Sequence, residues 1–274
     1  MRLRLLRGAD ISRLRCADAL VTSANAGLVG NANPTFWRFK GRDNVDGAIH
    51  DAAGPELQAA CAALASEAGE GMPCKVGHAV VTPAFGRLHA ALVIHAVAPD
   101  GAYAVGLQQW WGRRHWSGSQ RYGSRGARHV YLEEAQPAGE AQALLAKTYG
   151  AALQCAEEQG VRSIAMPAIG CGVLSFHQER VAELALGVIA SHVANRPGAS
   201  TGALDRVDVA LPSEEAFEAW QAAAGQLIGQ PQSAGSVAQV YDLGQAVHDR
   251  KERAREFDEF RARALDRALD KYRV

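Results

Sequence analysis

The sequence predicts a layered α/β fold in which helices pack against a mostly parallel β-sheet. Short apolar runs alternate along the chain with longer stretches of helical periodicity, and this alternation is typical of parallel sheets. Of the 274 residues, 48% are hydrophobic, which is enough for one sizeable core. Ligands of such sheets bind beyond the carboxyl ends of the strands, so the loops at those ends are the first candidates for a functional site.

The strands and helices follow one another along the chain in a regular order. Strand-like runs precede residue 10 and occupy residues 19–24, 77–85, 91–97, 163–169 and 206–211. Helical periodicity covers residues 45–65, 138–159 and 177–193, and Gly160 ends the second of these helices. Ser213 directly follows the last strand, where it can cap a further helix that has Glu215 and Ala216 in its first turn.

Three segments depart from this order and define the expected domain organisation. Residues 100–137, rich in Trp, Tyr and Arg, indicate a long insertion, and a shorter one is expected at about 31–43. Residues 230–235 have the composition of a linker, and beyond them apolar residues recur at helical spacing among dense charges. We therefore predict one domain over residues 1–229 with two insertions, then a linker and an amphipathic C-terminal helix over 230–274. We expect that helix to pack on the domain, with partner binding as the alternative.

Charge and cysteine content narrow the function classes. Lys plus Arg and Asp plus Glu number 29 each, so the net charge is zero, which argues against a nucleic-acid-binding or membrane-surface protein. No apolar run approaches the length of a membrane span. The cysteines are scattered without CxxC spacing, which favours a reducing compartment, cytoplasmic or nuclear; they are Cys16, Cys61, Cys74, Cys155 and Cys171.

Two polar residues follow strands in the first half of the chain. Asp10 comes after the N-terminal strand, where its carboxylate either caps a helix or accepts a hydrogen bond from an amino group such as that of adenine. Asn25 closes the strand at 19–24, and its amide either forms a turn or hydrogen-bonds ribose hydroxyls. Neither residue alone distinguishes the structural interpretation from the functional one.

A helix begins near residue 45, and its N-terminus is suited to bind an anion. Asp46 lies in its first turn. This carboxylate either caps the helix or positions a water molecule or a ribose hydroxyl. We expect a structural hydrogen bond from His50, farther along this helix, and we interpret His95, in an apolar strand, as a satisfied core histidine.

The second candidate loop has the sequence MPAIGCGVLSF over residues 166–176 and lies between a strand and a helix. Its glycines allow backbone N–H groups to approach a diphosphate without obstruction by side chains. A Gly-rich strand–loop–helix is a weak signal alone, and its position after the first motif strengthens it. Cys171 is not expected to act as a nucleophile, because no histidine is linked to it by a recognisable pattern.

Asp10, the string SAN at 23–25 and the string VDGAIHDAAGPEL at 45–57 together resemble the macrodomain family, especially its MacroD-type branch. The resemblance covers residues 3–220, interrupted by insertions. It implies a three-layer α-β-α fold with a mixed, mostly parallel central sheet. It also implies that Asn25 positions the distal ribose of ADP-ribose. Asp46 is the implied second catalytic residue, which orients that ribose or helps activate a water molecule near the α-phosphate.

The resemblance further implies a set of contacts to ADP-ribose. Asp10 and its neighbour recognise adenine, the second loop wraps the diphosphate and distal ribose through main-chain groups, and Phe176 forms a ribose-side wall. The implied ligand-binding residues are Asp10, Ile11, Ala24, Asn25, Val45, Gly47, Gly170, Cys171, Gly172, Val173, Leu174 and Phe176. Neither a cofactor nor a metal is expected, because no His/Cys/Asp cluster shows ligand spacing along the chain.

The resulting expectation is a hydrolase that acts on O-acetyl-ADP-ribose and on mono-ADP-ribosyl esters of acidic side chains, so ADP-ribose and mono-ADP-ribosylated proteins are its expected partners. Two departures from the family favour an alternative, a reader module that binds ADP-ribose without cleaving it. Asn25 and Asp46 are 21 positions apart, wider than the family pattern, and residues 30–44 replace an unbroken glycine run. Catalysis depends on this spacing more than binding does. A nucleic-acid or poly-ADP-ribose module, suggested by the Trp/Arg-rich insertion, is a third interpretation.

Overall fold

The computed structural model describes residues 1–30, 44–69, 71–99, 138–172, 174, 176–195, 204–249, 251, 252 and 255. Both predicted insertions, at 31–43 and 100–137, therefore lie outside the described residues, as do Val173 and the apolar positions of the predicted C-terminal helix. Among the described helices, none is long and apolar enough to cross a membrane.

Eight strands form one mixed sheet in the order β3-β4-β2-β5-β6-β1-β8-β7. The five central strands, from β4 to β1 in that order, run parallel, whereas β3, β8 and β7 are each antiparallel to a neighbour. The prediction of a mixed, mostly parallel sheet is confirmed. The strands are β1 (Arg2–Arg7), β2 (Ala19–Ala24), β3 (His78–Pro83), β4 (Leu92–Val97), β5 (Ser163–Pro167), β6 (Arg206–Leu211), β7 (Ser233–Ala234) and β8 (Ala238–Asp242).

Helices cover both faces of the sheet, which gives the predicted three layers. The α-helices are α1 (Val45–Ala53), α2 (Pro55–Glu67), α3 (Ala138–Glu158), α4 (Gln178–Ala194) and α5 (Glu214–Leu227). One core lies between the sheet and α3, α4 and α5, and the other lies beneath α1 and α2. In β2 the side chains of Ala19 and Val21 enter the first core, whereas Leu20 enters the second. Because both faces are buried, β2, β4 and β5 are largely apolar, whereas β1 and β6 also carry the paired side chains of Arg4 and Asp208.

The helix predicted over residues 45–65 is two helices in the structure. Gly54 has a φ of 82°, a left-handed conformation that favours glycine, and it ends α1. Pro55 then begins α2, where the lack of a proline N–H costs nothing because the first turn has no partner for it. Leu57 and Cys61 are both buried in the core beneath these helices, so the apolar periodicity continues across the break and conceals it.

The structure also differs from the predicted linker at residues 230–235. Ser233–Ala234 forms β7, and the next strand, β8, extends the sheet beside β1. In β8 the buried positions alternate, with Gln239 and Tyr241 facing inward and the Tyr241 hydroxyl donating to Gln239 Oε1 at 2.7 Å. A buried glutamine at one of only two inward positions breaks the apolar alternation by which a strand is predicted.

Candidate functional site

The predicted motifs meet at the edge of the sheet formed by the carboxyl ends of the parallel strands. Asp10 follows β1, Asn25 follows β2 and Gly170 follows β5, and β2 and β5 are neighbours in the sheet. A short 3-10 helix, Ile11–Arg13, packs against both α1 and β5. The loop after β1 is thus joined to the helix that carries Asp46, and the structure brings the two halves of the candidate site to one edge.

Asp46 lies buried in the first turn of α1, and it is not the cap of this helix. That role belongs to Asn44, whose side-chain oxygen accepts a hydrogen bond from the Gly47 N–H at 2.8 Å. The Asp46 side chain is 2% exposed, and its Oδ1 accepts a hydrogen bond from Thr22 Oγ1 at 2.9 Å. The capping interpretation of Asp46 is therefore wrong. The Gly47 N–H is engaged by Asn44, and the ligand contact expected of Gly47 stays a prediction.

His50 lies one turn after Asp46 on α1. Its Nε2 is 3.8 Å from Asp46 Oδ1, and its side chain is 5% exposed. Gly30 closes the loop after β2 against this ring, and the Gly30 N–H donates to Gln58 Oε1 on α2 at 3.2 Å. Gly30 is therefore held against both helices of this layer.

The Asn25 side chain closes a turn, which is one of its two predicted roles. Its Nδ2 donates to the Val29 carbonyl at 2.5 Å, and its Oδ1 accepts from the Val29 N–H at 3.1 Å. Leu28, within the turn, is buried and has a φ of 52°, a conformation in which few non-glycine residues are found. A side-chain amide offers two N–H groups and two lone pairs, so one of each is left for a ligand. The turn fixes the direction in which they point.

Asp10 caps the short 3-10 helix. Its Oδ1 accepts hydrogen bonds from the Ser12 N–H at 3.0 Å and from Ser12 Oγ at 2.7 Å, and its Oδ2 lies 3.2 Å from Arg13 Nε. Ile11 is buried beneath it. Of the two roles predicted for Asp10, helix capping and recognition of an amino group, the structure shows the first. A carboxylate has four lone-pair sites, so these contacts leave capacity for an amino group.

The second loop is supported from beneath by aromatic side chains. Gly170 has a φ of 98°, and an added Cβ there would lie 3.1 Å from the ring of Phe176. Tyr149 on α3 is fully buried and donates its hydroxyl to the Ile169 carbonyl at 3.2 Å. Phe176 is only 7% exposed, and its N–H donates to the Gly170 carbonyl at 3.0 Å. The Phe176 ring thus packs against Gly170, and its role as a wall toward the ribose stays a prediction.

The remaining described positions of this loop contribute backbone rather than reactive groups. Gly172 has open space where a side chain would be. Leu174 is partly buried against the core between the sheet and α3, α4 and α5. Burial, with a smaller contribution from Glu179, raises the pKa of the Cys171 thiol to about 12. A thiol with a raised pKa is protonated at neutral pH and is a poor nucleophile. The raised pKa supports the expectation that Cys171 is not a nucleophile.

A cluster of polar side chains is buried beneath α1 and α2. It comprises Thr22, Asp46, His50, Cys61, Thr82 and His95. The Nε2 of His95 lies 2.9 Å from Thr82 Oγ1 and 3.9 Å from Cys61 Sγ. Burial, aided by the nearby His50, lowers the pKa of His95 to about 3, so this ring is neutral. His95 Nδ1 has no hydrogen-bond partner within the part of the chain that the structure describes, so His95 is a core histidine that is satisfied at one nitrogen only.

His50, Cys61 and His95 offer three potential metal ligands within 4.8 Å of one another. They come from α1, α2 and β4, so their spacing in the sequence does not indicate a metal site. Burial and the charge of Asp46 raise the pKa of Cys61 to about 11, whereas metal binding requires a thiolate. His95 Nε2, which faces the thiol, already contacts Thr82. These contacts fit a hydrogen-bonded cluster that supports Asp46 better than they fit a metal centre.

Comparison with known proteins agrees with the fold and with the position of these motifs. The model of the Macro domain family matches residues 21–106 and 128–185, more than half of the chain. The chain belongs to the Macro domain family. The matched residues include most of β2 and all of α1 and β5, together with the loops that contain Asn25 and Gly170.

Relatives of this macrodomain include bacterial proteins of similar length. The O-acetyl-ADP-ribose deacetylase of Salmonella typhimurium (strain LT2) is 35% identical over 192 residues, which are 70% of this chain and 79% of that protein. The O-acetyl-ADP-ribose deacetylase of Klebsiella pneumoniae (strain 342) is 36% identical over 180 residues, 66% of this chain and 75% of that one.

Solved macrodomain structures share the fold. The Oceanobacillus iheyensis macrodomain with MES bound has a TM-score of 0.59 and 25% identity, and the match covers 82% of this chain and 92% of that chain. The same macrodomain with ADP has a TM-score of 0.58 and 25% identity, covering 80% and 88%. The macrodomain fold predicted from the sequence is therefore confirmed.

Sequence reasoning missed three residues that support this macrodomain site. Asn44 precedes a helix and has a side chain preferred at the N-cap, so its role had a readable signal. Thr22 is a β-branched residue in a strand, which is ordinary, and only the fold places it under Asp46. Tyr149 lies at a buried helical position, and nothing in the local pattern indicates that its hydroxyl holds the second loop.

Proposed function

We propose that this macrodomain binds ADP-ribose and hydrolyses its esters, both O-acetyl-ADP-ribose and mono-ADP-ribosyl esters of acidic side chains. The observation that carries the proposal is the buried carboxylate of Asp46, held by Thr22 beside the loop of Asn25. It occurs in a chain that is 35% identical over 192 residues to a protein named O-acetyl-ADP-ribose deacetylase. All five cysteines are free, which supports a reducing compartment as the place of action.

Binding is supported by backbone geometry at the carboxyl edge of the sheet. The N-terminus of α1 and the loop with Gly170 and Gly172 lie at this edge, and both kinds of structure offer N–H groups to phosphate oxygens. The macrodomain that is 25% identical to this chain was solved with ADP, which contains the same adenosine diphosphate group. Asp10 is the candidate acceptor for the adenine amino group.

Catalysis is assigned to Asn25 and Asp46. The Asn25 amide holds the distal ribose through the one N–H and the one oxygen lone pair that do not contact Val29. Asp46 orients that ribose or helps to activate a water molecule near the α-phosphate. The oxygen of this water bonds to the ester carbon, and the bond between that carbon and the ribose oxygen breaks. The ribose regains its hydroxyl, and acetate or a protein carboxylate is released.

Two assays test this proposal. One measures the release of ADP-ribose from a Glu-ADP-ribosylated protein, and the other measures the release of acetate from O-acetyl-ADP-ribose. We expect Asp46→Ala and Asn25→Ala to lower turnover by about 100-fold or more, because a misplaced catalytic group costs about this much. Asp51→Asn is the matched control, since Asp51 is an exposed carboxylate on the same helix, paired with Arg87. Wild-type turnover in both alanine variants would contradict the assignment.

One observation favours the alternative function of a reader that binds without cleavage. Both polar atoms of the Asn25 amide already contact the backbone of Val29, which gives this side chain a structural role. Calorimetry on the wild-type protein distinguishes the two functions when it is combined with the hydrolysis assay. Binding of ADP-ribose without any ester cleavage in the same preparation would establish the reader.

A further inference from the structure

We propose that Thr22 is a positioning residue that fixes the carboxylate of Asp46 for ester hydrolysis. This inference rests on the proposed function and names a further residue for it. The Thr22 hydroxyl donates to Asp46 Oδ1 at 2.9 Å, and both side chains are buried, with 0% and 2% of each residue exposed. A hydroxyl bound to a carboxylate forms a charge-assisted hydrogen bond, which is stronger than one between neutral groups.

Thr22 is a rigid support for this contact. It lies in β2, which is paired with β4 along its whole length, with Thr22 in register with His95, and with β5 at Ala19 and Leu20. A β-branched side chain has few rotamers, so its hydroxyl has a nearly fixed direction relative to the strand. The sheet thus provides a fixed point for a side chain that belongs to α1.

The contact also joins the two residues to which catalysis is assigned. Asn25 follows β2 directly, three positions after Thr22, whereas Asp46 is 21 positions farther along the chain than Asn25. The Thr22–Asp46 hydrogen bond is a direct link in space between the strand that leads to one residue and the helix that carries the other. Placement of catalytic groups within about an ångström requires such a link.

His50 does not replace this donor. Its Nε2 is 3.8 Å from Asp46 Oδ1, which is longer than a hydrogen bond. The helix cap does not need the Asp46 carboxylate, because Asn44 supplies it. The hydrogen bond from Thr22 therefore orients the Asp46 carboxylate and is not needed to cap the first turn of α1.

Three variants test the inference through deacetylation of O-acetyl-ADP-ribose. Thr22→Val removes the hydroxyl at nearly constant shape, and Thr22→Ser keeps it. Thr148→Val is the matched control, because Thr148 on α3 is equally buried and its hydroxyl donates to the carbonyls of Val97 in β4 and Leu144 in α3. Turnover is divided by the fraction of protein that binds ADP-ribose in calorimetry, so that unfolded protein does not count.

We expect kcat to fall at least about tenfold in Thr22→Val while KM and the Kd for ADP-ribose stay within about twofold, since only the placement of Asp46 is lost. Thr22→Ser should keep kcat within about threefold of wild type, and Thr148→Val within about twofold. The inference is overturned if Thr22→Val turns over like wild type, if Thr22→Ser loses as much as Thr22→Val, or if Thr22→Val binds no ADP-ribose.

Failure of the proposed function gives a different result. A wild-type protein that binds ADP-ribose but releases no acetate overturns ester hydrolysis and, with it, the role of Thr22. A wild-type protein that turns over normally, together with an unaffected Thr22→Val, overturns the role of Thr22 alone.

Discussion

Gly30 lies directly against the imidazole of His50, so closely that a Cβ added to Gly30 would be 2.6 Å from His50 Nδ1. Real side chains do not approach each other to this distance, so the ring or the loop would have to move. The other nitrogen of this ring faces Asp46 at 3.8 Å. Gly30 therefore limits the space available to the His50 ring, and this ring lies beside the candidate catalytic carboxylate.

Gly30→Ala should lower kcat/KM for O-acetyl-ADP-ribose by about tenfold or more, because a displaced His50 disturbs the surroundings of Asp46. It should also lower the free energy of unfolding by about 1–3 kcal/mol, the usual effect of overpacking. Gly225→Ala in α5 is the control, since a Cβ there meets no atom within 4 Å. A Gly30→Ala enzyme as active as Gly225→Ala would show that the contact between Gly30 and His50 does not matter for turnover.

Gly170→Ala should weaken ADP-ribose binding. Alanine is strained at a φ of 98°, and its Cβ would press on Phe176 beneath the second loop. Gly160→Ala is a control with similar backbone strain, at a φ of 66° and with nothing within 4 Å. Both variants should lose about 1 kcal/mol of stability in urea unfolding. Only Gly170→Ala should show a lower affinity in calorimetry, and equal affinities would refute a role for this loop in binding.

Tyr149→Phe removes the hydroxyl that donates to the Ile169 carbonyl. Burial raises the pKa of Tyr149 well above its usual value, so the group is a donor throughout the accessible pH range. We expect a loss of about 1–3 kcal/mol in stability, because a buried carbonyl loses its partner, together with several-fold weaker ADP-ribose binding.

Tyr241→Phe provides the comparison for Tyr149→Phe. Tyr241 is also buried and donates to Gln239 Oε1, but it lies on β8 at the far side of the sheet. The Tyr241→Phe variant should have a lower free energy of unfolding than the wild-type protein but the same affinity for ADP-ribose. If calorimetry gave both variants the wild-type affinity, Tyr149 would have no role in shaping the second loop.

His95 should make the protein sensitive to acid. Its pKa is about 3 in the folded protein, against about 6.5 in an unfolded chain, because burial opposes its charged form. Below pH 6.5 the unfolded chain binds a proton that the folded protein does not. This one group therefore lowers stability by about 1.4 kcal/mol for each pH unit from about 6.5 down to about 3.

Urea unfolding at pH 7 and pH 5 measures this effect. His95→Gln should remove about 2 kcal/mol from the difference in stability between the two pH values. His89→Gln, at an exposed position, should leave that difference unchanged. If His95→Gln kept the full wild-type difference, other groups would be responsible for the acid sensitivity.

The sequence predicted those features that arise from local patterns. Strand β6 begins and ends at the predicted residues because its alternating Val207, Val209 and Leu211 are buried in one core. Both loops were placed correctly, since a strand followed by polar or Gly-rich residues marks the active edge of a parallel sheet. The break at Gly54 was missed, although glycine before proline is a readable signal, because Leu57 and Cys61 continue the helical periodicity.

Features that depend on distant parts of the chain were not predictable. Thr22, Cys61 and His95 have no local relation in the sequence, and they meet only because β2, α2 and β4 are packed together. Phe176 was assigned to a wall of the ligand site from the motif alone. The structure adds that its ring is buried and packs against Gly170, a contact that the motif does not predict.

The position of β1 has a consequence for how the chain folds. Its two neighbours in the sheet are β6 and β8, and Arg4 of β1 pairs with Asp208, which is 204 positions away. Closing a loop of this length has an entropic cost, and contacts between distant residues slow folding. During synthesis, β1 emerges from the ribosome first and gains its second neighbour only after residue 242 is made. Both of its edges are open until β6 is made, and one stays open until β8 is made, so we expect the nascent protein to be most prone to aggregation in this interval.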